Sequence, residues 1–297
     1  MAGDRIIKVV GVGGSGCATV ERMMGCGGCE LVAVHTDAAS LLQHKGGSKV
    51  LIGLNVTKGR STGNNIRLGE EAAISDLDKI KAAVGSPEVT FIVAGLGGGT
   101  GAGASPVVAE AAKGQGSMVV AFVNIPFTAE GKVCRSNALT GLDNMKPYCD
   151  LIVVIQNDRF LKVVPDLSIR DAFTKVNHML LEAVRGMVKL VNESGVDNLK
   201  PLLKGYAAIG HGVGPGLRKA VEAALDSPLI GADVNSASGV LLNFTTHSKA
   251  LADLQEALDS VAGKVSPSAA VVWTNTVDDS AEAVEVLALF SGVKLAL

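Results

Sequence analysis

The chain is poor in aromatic residues and in net charge: aromatic side chains make up 3% of its 297 residues, and the formal net charge at pH 7 is −2. A balance this close to neutral argues against a broad nucleic-acid-binding surface. Apolar runs stay shorter than the ~18–20 residues that a membrane span needs, and no secretory signal opens the chain. We therefore predict a cytoplasmic protein that neither binds nucleic acid nor inserts into a membrane.

Cysteine is also scarce, with five residues. An odd number in a chain of this size argues against a disulfide framework. Cys26 and Cys29 have the spacing of a redox or metal motif, but a zinc site needs two further ligands and the sequence offers no second pair. The five histidines show no metal-ligand spacing either. We therefore predict no metal site formed by protein ligands alone.

Glycine, by contrast, is abundant, with 36 residues. The most informative run is Gly97–Gly103, which follows the apolar segment 89–94 and precedes a helical pattern that begins at Ser105 and Pro106. A strand, a glycine loop and a helix form a phosphate cradle, because glycines let backbone N–H groups turn towards one anion and the helix N-terminus adds a positive dipole end. Thr100 is the only residue of this loop with a hydroxyl group.

A second glycine loop, Gly11–Gly16, follows a predicted strand at 6–10 and precedes a helical pattern at 20–24. Its glycines, with Asp37 after the next strand, fit the dinucleotide-binding fingerprint and favour a nicotinamide-dependent oxidoreductase when taken alone. That class accounts for one glycine loop but not for two, and we find no convincing hydride-transfer site. The chain has no Gly-Lys-Ser/Thr P-loop. Two loops favour instead a nucleoside triphosphate held by several backbone cradles.

Apolar strand candidates alternate with helix-length segments in the first half of the chain, at 6–10, 31–35, 49–52, 89–94, 118–123 and 151–155. This alternation predicts an α/β fold with a doubly wound parallel sheet, in which ligands bind at the carboxyl ends of the strands. Both glycine loops follow such ends.

A long helix is predicted at 169–191, where apolar residues recur every three or four positions and polar residues recur in the same way on the opposite face. Its apolar face consists of Phe173, Val176, Leu180, Val184, Met187 and Val191. A polar loop at 192–197 follows, and its simplest interpretation is a helix C-terminus with a glycine cap. Beyond residue 205 we predict a smaller mixed α/β domain, with strands at 206–209, 239–244, 269–274 and 283–290 and helices at 216–225 and 248–262.

Taken together, these features resemble the tubulin/FtsZ superfamily, and most closely the FtsZ family of prokaryotic cell-division GTPases. The run Gly97–Gly103 is similar to the tubulin signature Gly-Gly-Gly-Thr-Gly-(Thr/Ser)-Gly, with Ala102 in place of the second hydroxyl residue. The blocks "IKVVGVGGSG", "VAVHTDAASLL", "TKGRSTGNN", "PFTAEGK", "IQNDRFL", "DAFTKVN" and "GVLLNFT" also look like FtsZ blocks in FtsZ order. The resemblance implies a GTPase domain at 1–168, a central linking helix at 169–192, and a catalytic-loop and C-terminal assembly domain at 193–297.

The resemblance implies that the chain binds GTP or GDP together with Mg²⁺, and it assigns roles to individual positions. The phosphates would be surrounded by the two glycine loops, through Gly13, Gly14, Ser15, Gly16 and Cys17 in the first and Gly97, Gly98, Gly99, Thr100 and Gly101 in the second. Asp37 would approach the Mg²⁺ region, and Thr62 and Gly63 belong to a loop that would sense the γ-phosphate. Glu130 would hold the ribose, because a carboxylate can accept hydrogen bonds from both hydroxyls. Asn157 and Asn177 would read guanine, since an amide offers a donor and an acceptor, and Phe173 would stack beside them.

Three positions depart from the family pattern around the nucleotide. The family has Asn where this chain has Ala18, and Asn where it has His35. It has Arg four residues after the ribose acid, where this chain has Cys134; the adjacent Arg135 would bind the nucleotide in its place if the turn shifts by one residue.

In FtsZ the loop after the long helix enters the nucleotide pocket of the next subunit, so the resemblance implies a head-to-tail homopolymer that hydrolyses GTP at the interface. The residues that would act there are Asn192, Glu193 and Asp197. Ser194 replaces the first aspartate of the family motif, and one positioned acid–base group contributes roughly 10²–10⁴-fold to a rate. A polymerising GTPase is thus implied, while the serine leaves open a nucleotide-binding paralogue with slow or absent hydrolysis that acts as a structural or regulatory filament protein.

Division proteins and membrane adaptors are further candidate partners that the resemblance implies. FtsZ normally continues into a disordered linker and a short peptide that binds such adaptors, whereas this sequence stops at Leu297. We expect either a shortened chain or a divergent relative without that tether.

Overall fold

The computed structural model describes residues 7–163, 168–247 and 253–297. The strands are β1 (Ile7–Val12), β2 (Glu30–His35), β3 (Ser48–Leu51), β4 (Val89–Gly95), β5 (Met118–Ile125), β6 (Leu151–Gln156), β7 (Gly205–Gly214), β8 (Gly239–Thr246), β9 (Ala270–Val277) and β10 (Val284–Ser291). The helices are α1 (Gly13–Arg22), α2 (Ala38–Gln43), α3 (Leu54–Thr57), α4 (Ile66–Ser75), α5 (Leu77–Val84), α6 (Gly99–Gly114), α7 (Lys132–Met145), α8 (Asn157–Val163), α9 (Ile169–Ser194), α10 (Leu217–Leu225) and α11 (Leu254–Ala262). None of these helices is long and apolar enough to cross a membrane.

One sheet of ten strands runs through the molecule in the order β3-β2-β1-β4-β5-β6-β7-β10-β8-β9. Every pair from β3 to β7 is parallel, which confirms the predicted doubly wound α/β arrangement. β10 runs antiparallel to both β7 and β8, so the second half is mixed, as expected. The two halves meet where Leu151–Val153 of β6 pairs with Gly205–Ala207 of β7. The mixed half therefore continues the first sheet, and the predicted domain bounds stay a prediction.

The central strands are covered on both sides, as is typical of parallel strands rich in β-branched residues. Successive side chains of a strand point to opposite faces of the sheet. Val9 and Phe91 pack in the core layer that contains α9, whereas Val10 and Ile92 pack in the layer that contains α6. Continuous apolar runs such as 89–94 follow from this double burial.

The long helix α9 lies in the centre of the molecule and connects the two halves of the core. The predicted apolar face is buried from Val176 to Val191, within a cluster that also contains Val9 from the first half and Leu289 from the second. Several residues outside that face are buried as well: Leu181, Ala183, Val188 and Leu190. The helix is therefore enclosed on more sides than its sequence pattern predicts.

The C-terminus of α9 differs from the prediction by three residues. The helix ends at Ser194 rather than 191, so the first half of the predicted polar loop is helical. Gly195 follows with a φ of 88°, and its backbone N–H donates to the carbonyl of Val191 at 2.9 Å. This conformation favours glycine, and the predicted glycine cap is confirmed.

The run Gly97–Gly103 is mostly helix rather than loop. α6 begins at Gly99, six residues before the predicted start at Ser105, and it includes Pro106. A Cβ atom at Gly101 would collide with a backbone carbonyl of β4. Close packing of α6 against the sheet therefore overrides the low helix propensity of glycine.

The first glycine loop shortens in the same way. β1 continues to Val12 and α1 begins at Gly13, so the predicted strand at 6–10 ends too early and the predicted helix at 20–24 starts too late. Gly16 lies in the first turns of α1, where a Cβ atom would collide with the carbonyl oxygen of Val93. Contact between α1 and β4 thus requires glycine at this position.

Elements of the second half differ from the predicted bounds or lie partly outside the described residues. β7, β8 and β9 are longer than the predicted strands, because each is held by paired neighbours in the sheet, whereas β10 is shifted by one residue at unchanged length. The helix predicted at 248–262 begins at Leu254 in the described part of the chain, and residues 248–252 lie outside it.

Burial of α9 leads to a stability prediction. Leu180→Ala removes a fully buried side chain from the shared core and should lower the free energy of unfolding by about 2–5 kcal/mol. Ile74→Ala, at a side chain that is 57% exposed, should change it by less than about 0.5 kcal/mol. Urea unfolding of both variants measures the difference, and equal midpoints would contradict a central role for α9.

Candidate nucleotide-binding site

A cleft of about 370 Å³ opens at the carboxyl ends of the parallel strands, the place where open α/β sheets bind their ligands. Glycines, hydroxyls, amides and two carboxylates dominate its lining, which is suited to a polar ligand. The lining residues are Gly14, Ser15, His35, Asp37, Ser40, Ser61, Thr62, Asn64, Gly95, Gly97, Gly98, Gly99, Thr100, Gly101, Asn124, Pro126, Glu130, Asn157, Phe173 and Asn177.

Two helix N-termini meet in this cleft. α1 begins at Gly13, whose φ is 72°, and a Cβ atom there would lie 3.0 Å from the backbone nitrogen of Gly101 in the first turn of α6. Each N-terminus carries free backbone N–H groups and the positive end of a helix dipole. Their convergence forms an anion site suited to more than one phosphate group.

Three threonine hydroxyls connect the segments around the phosphate end. The Oγ1 atom of Thr100 lies 2.8 Å from that of Thr36 and 3.4 Å from that of Thr62. All three residues are buried, so the hydrogen bonds join α6 to the chain after β2 and to the segment before α4. Thr36 was absent from the sequence-based candidates; its position directly after a parallel strand is the signal that identifies it.

The turn after β2 holds a histidine and an aspartate. The backbone N–H of Asp37 donates to Nδ1 of His35 at 2.8 Å, and the Asp37 carboxylate caps α2 by accepting from the backbone N–H of Ser40, also at 2.8 Å. Hydrogen bonds from Ser40 lower the pKa of Asp37. Burial lowers the pKa of His35. At neutral pH the aspartate is therefore ionised and the imidazole is neutral.

Amide side chains form the other end of the cleft. Nδ2 of Asn124 donates to Oδ1 of Asn157 at 3.4 Å, and Oγ of Ser15 donates to Oδ1 of Asn177 at 3.2 Å. Within the described ranges, Oδ1 of Asn124 and Nδ2 of Asn157 are buried without a hydrogen-bond partner. A buried polar atom left unpaired costs about 1–3 kcal/mol. One free acceptor and one free donor therefore favour a ligand that supplies both complements.

Phe173 and Glu130 lie at this amide end as well. The Phe173 ring meets Phe127 edge to face, with centroids 4.9 Å apart. Oε1 of Glu130 accepts from the backbone N–H of Phe127 at 2.7 Å. Burial raises the pKa of Glu130. Asn124, like Thr36, was not among the sequence-based candidates, although it stands at the carboxyl end of β5.

Some predicted phosphate-loop residues do not line the cleft. Cys17 is buried, with Sγ 3.6 Å from the carbonyl oxygens of both Gly11 and Val34, and burial raises its pKa to about 12. Its thiol therefore faces the sheet, because the chain is already helical at this point. Gly13 and Gly16 shape the contacts of α1, and Gly63 is not part of the lining.

Neither Cys134 nor Arg135 lines the cleft. Cys134 is buried, and Nδ2 of Asn64 lies 3.7 Å from its Sγ. A Cβ atom at Gly97 would lie 3.5 Å from the Cβ atom of Cys134, so the cysteine lies behind the wall of the cleft. Arg135 is half-buried on α7.

The three predicted catalytic residues lie away from the cleft, at the far end of α9. Asn192 and Asn177 are fifteen residues apart on this helix, which is about 22 Å at 1.5 Å per residue. Glu193 lies 3.7 Å from Lys189, and Asp197 lies 2.7 Å from Lys200, with 89% of the Asp197 side chain exposed. One chain therefore brings most of the predicted binding residues together at the cleft but leaves the predicted catalytic residues at a distance from it.

Across the described ranges 7–163, 168–247 and 253–297, no group of three or more His, Cys, Asp or Glu side chains could hold a metal ion. Asp37 and Glu130 are the acidic side chains among the cleft residues, and they belong to its opposite ends.

A parallel α/β sheet with two helix N-termini converging on a polar cleft defines a nucleotide-binding protein. Comparison with family models is more specific: the model described as "Tubulin/FtsZ family, GTPase domain" matches residues 6–165, and that of "FtsZ family, C-terminal domain" matches residues 205–294. The chain belongs to the Tubulin/FtsZ family and is a GTP-binding, FtsZ-like protein. The predicted resemblance is confirmed, and the oxidoreductase alternative is not supported.

Individual relatives agree with this assignment. "Cell division protein FtsZ 1" of Thermococcus kodakarensis is 39% identical over 97% of this chain and 80% of its own length, and that of Methanocaldococcus jannaschii is 38% identical over 97% and 83%. The solved structure "FtsZ dimer, empty (M. jannaschii)" matches with a TM-score of 0.92 and 37% identity, over 97% of this chain and 88% of that one. "CetZ1 from Haloferax volcanii - GDP bound monomer", at 23% identity, 97% and 94% coverage and a TM-score of 0.84, shows the same fold.

Two glycines of the α6 N-terminus make a matched test of the cleft. Gly101→Ala should lower the free energy of unfolding by roughly 3 kcal/mol, the upper end of ordinary overpacking, because its Cβ atom would collide with the carbonyl of Gly95. Gly98→Ala should fold like the wild type, since no atom lies within 4 Å of its Cβ position. Thermal unfolding measures both, and equal melting temperatures would contradict the close approach of α6 to β4.

Proposed function

We propose that the chain polymerises head to tail into filaments and hydrolyses GTP at the interface between subunits. The observation that carries this proposal is the division of the site along α9. Asn177 lies in its N-terminal half, and Asn192 lies about 22 Å further along the helix, followed by Glu193 and, just past the helix end, by Asp197. Side chains cannot cover that distance within one packed helix, so a second copy must supply the catalytic residues.

The cleft residues have distinct roles in this proposal. The N-termini of α1 and α6 bind the phosphates through backbone N–H groups. Asn157 and Asn177 contact guanine, with Phe173 as the stacking neighbour and Glu130 on the ribose. The buried unpaired amide atoms of Asn124 and Asn157 support the placement of a base or sugar at this end.

Magnesium fits the phosphate end of the cleft. Mg²⁺ keeps several water ligands and uses one or two carboxylates together with substrate phosphates. Asp37, which is ionised and lines this end, would help to hold the ion through bound water. The ion would neutralise charge on the β- and γ-phosphates.

The C-terminal end of α9 is exposed and can contact another subunit. Asn192, Glu193 and Ser194 form the last exposed residues of the helix, and Gly195 turns the chain into a short 3₁₀ helix that carries Asp197. Asp197 polarises the attacking water of the neighbouring subunit. Because Ser194 takes the place of an acid found in the family, turnover is slower than a site with both carboxylates would give.

The titles of matching solved structures support self-association. One is titled an FtsZ dimer. Another, of CetZ2 from Haloferax volcanii at 23% identity, is titled a GTPgS-bound protofilament. Neighbours named for cell division favour a cytoplasmic division filament. Division proteins or membrane adaptors would be its further partners.

Phosphate release measured against protein concentration tests the shared site. With GTP and Mg²⁺, turnover should be negligible below a critical concentration and rise above it together with light scattering. Flat phosphate release during assembly would favour the slow or non-hydrolysing paralogue, and constant turnover per subunit at all concentrations would contradict a shared site. Absence of GTP and GDP binding would refute the nucleotide assignment itself.

A substitution at the far end of α9 tests the catalytic assignment. Asp197→Ala should leave GTP affinity unchanged and lower turnover about 10²-fold, in line with the loss of a positioned acid–base group. Asp226→Ala is the matched control, because Asp226 is also an exposed aspartate paired with a lysine, Lys264, at 2.9 Å. Unchanged turnover in Asp197→Ala, or an equal loss in the control, would show that this loop is not catalytic.

A further inference from the structure

His35 is the residue of the cleft whose chemistry differs most from the family pattern, where asparagine stands at this position. It ends β2 and is 8% exposed, and it lines the cleft beside Asp37. The backbone N–H of Asp37 donates to its Nδ1 atom at 2.8 Å. An asparagine oxygen can accept that same hydrogen bond, so the turn alone does not require histidine.

The hydrogen bond from Asp37 determines which nitrogen of His35 carries the proton. Nδ1 accepts, so the neutral ring must be protonated at Nε2. Protonation of both nitrogens would set two N–H groups against each other at Asp37. The imidazole is therefore a neutral ring with one fixed donor, Nε2–H.

This donor faces the phosphate loop. Nε2 lies 3.9 Å from the Cβ position of Gly14, in the first turn of α1. Within the ranges that the structure describes, no group hydrogen-bonds to Nε2. An N–H group that points into the space above a helix N-terminus adds a side-chain donor to an anion site.

The sheet order shows which part of a nucleotide this donor would meet. Asn157 follows β6, and β2 lies four strand positions from β6 in the order β2-β1-β4-β5-β6. At 4.7–4.9 Å per strand, the backbone at His35 lies about 19 Å from the backbone at Asn157. If the base occupies the amide end and the helix N-termini hold the inner phosphates, the group that reaches β2 is the terminal phosphate.

We propose that Nε2–H of His35 donates to an oxygen of the terminal phosphate and makes this cleft prefer a nucleoside triphosphate over a diphosphate. This inference rests on the proposed function, because it takes the ligand to be a guanine nucleotide with its base at Asn157. His35 is thus a specificity-determining residue, and its two nitrogens have separate roles. Nδ1 accepts the hydrogen bond that stabilises the turn, and Nε2 donates to the terminal phosphate.

Two substitutions separate these roles. His35→Asn keeps an acceptor near the Nδ1 position but is too short to replace Nε2, whereas His35→Gln places an amide N–H near the Nε2 position and loses the Nδ1 acceptor. Affinities for GDP and for a non-hydrolysable GTP analogue, with Mg²⁺ and below the assembly concentration, measure the preference. A hydrogen bond to a charged group predicts that His35→Asn loses the triphosphate preference about tenfold or more at unchanged GDP affinity, while His35→Gln retains it.

The opposite pattern would overturn the inference. If His35 only held the Asp37 turn, His35→Asn would match the wild type and His35→Gln would weaken both nucleotides equally. Nitrogen NMR of histidine-labelled wild-type protein tests the proposal without relying on a variant that folds. The Nε2 resonance of His35 should shift when the triphosphate analogue binds and stay in place when GDP binds. Equal shifts with both nucleotides would also refute the proposal. A wild type that binds neither nucleotide would refute the proposed function instead.

Discussion

Close contact between backbone segments around α6 is the constraint on which the rest of the structure depends. Gly101 lies against the carbonyl of Gly95 in β4, and Gly103 lies against that of Ile66 in α4. Gly16 makes the equivalent contact of α1 with Val93. These contacts bring two helix N-termini to one point at the end of the sheet. The anion site is therefore made by backbone packing in the core, which fixes its geometry before any ligand binds.

Most of the fold could be predicted because its signals are local. Apolar runs that alternate with helical patterns indicate a parallel sheet, and glycine loops after two strands indicate where a phosphate binds. Ser15, Thr100 and Asp37 were found in this way and do line the cleft. Local sequence patterns do not show where two elements pack closely together. Both glycine segments are therefore predicted as loops, although each is largely the first turn of a helix.

Residues that depend on packing could not be predicted with the same success. Cys17 is adjacent in sequence to the phosphate loop, but the early start of α1 turns its thiol towards β1 and β2. Thr36 and Asn124 are single polar residues at the ends of buried strands, without a motif around them. Their burial and their hydrogen bonds to Thr100 and Asn157 are visible only in three dimensions. A polar residue at the carboxyl end of a parallel strand is the one sequence signal that includes both.

Enclosure of α9 explains why the cleft residues and the predicted catalytic residues stay apart. An amphipathic surface helix could shift or bend, but α9 is buried on several sides and packs against strands of both halves of the sheet. Phe173 and Asn177 contact the cleft at one end of this rigid element, and Asn192 lies at the other. Because core side chains are close-packed, α9 cannot bend or shift easily, and the distance between the cleft residues and Asn192 is fixed. In the proposed mechanism, the same packing that stabilises one subunit prevents that subunit from completing its own site.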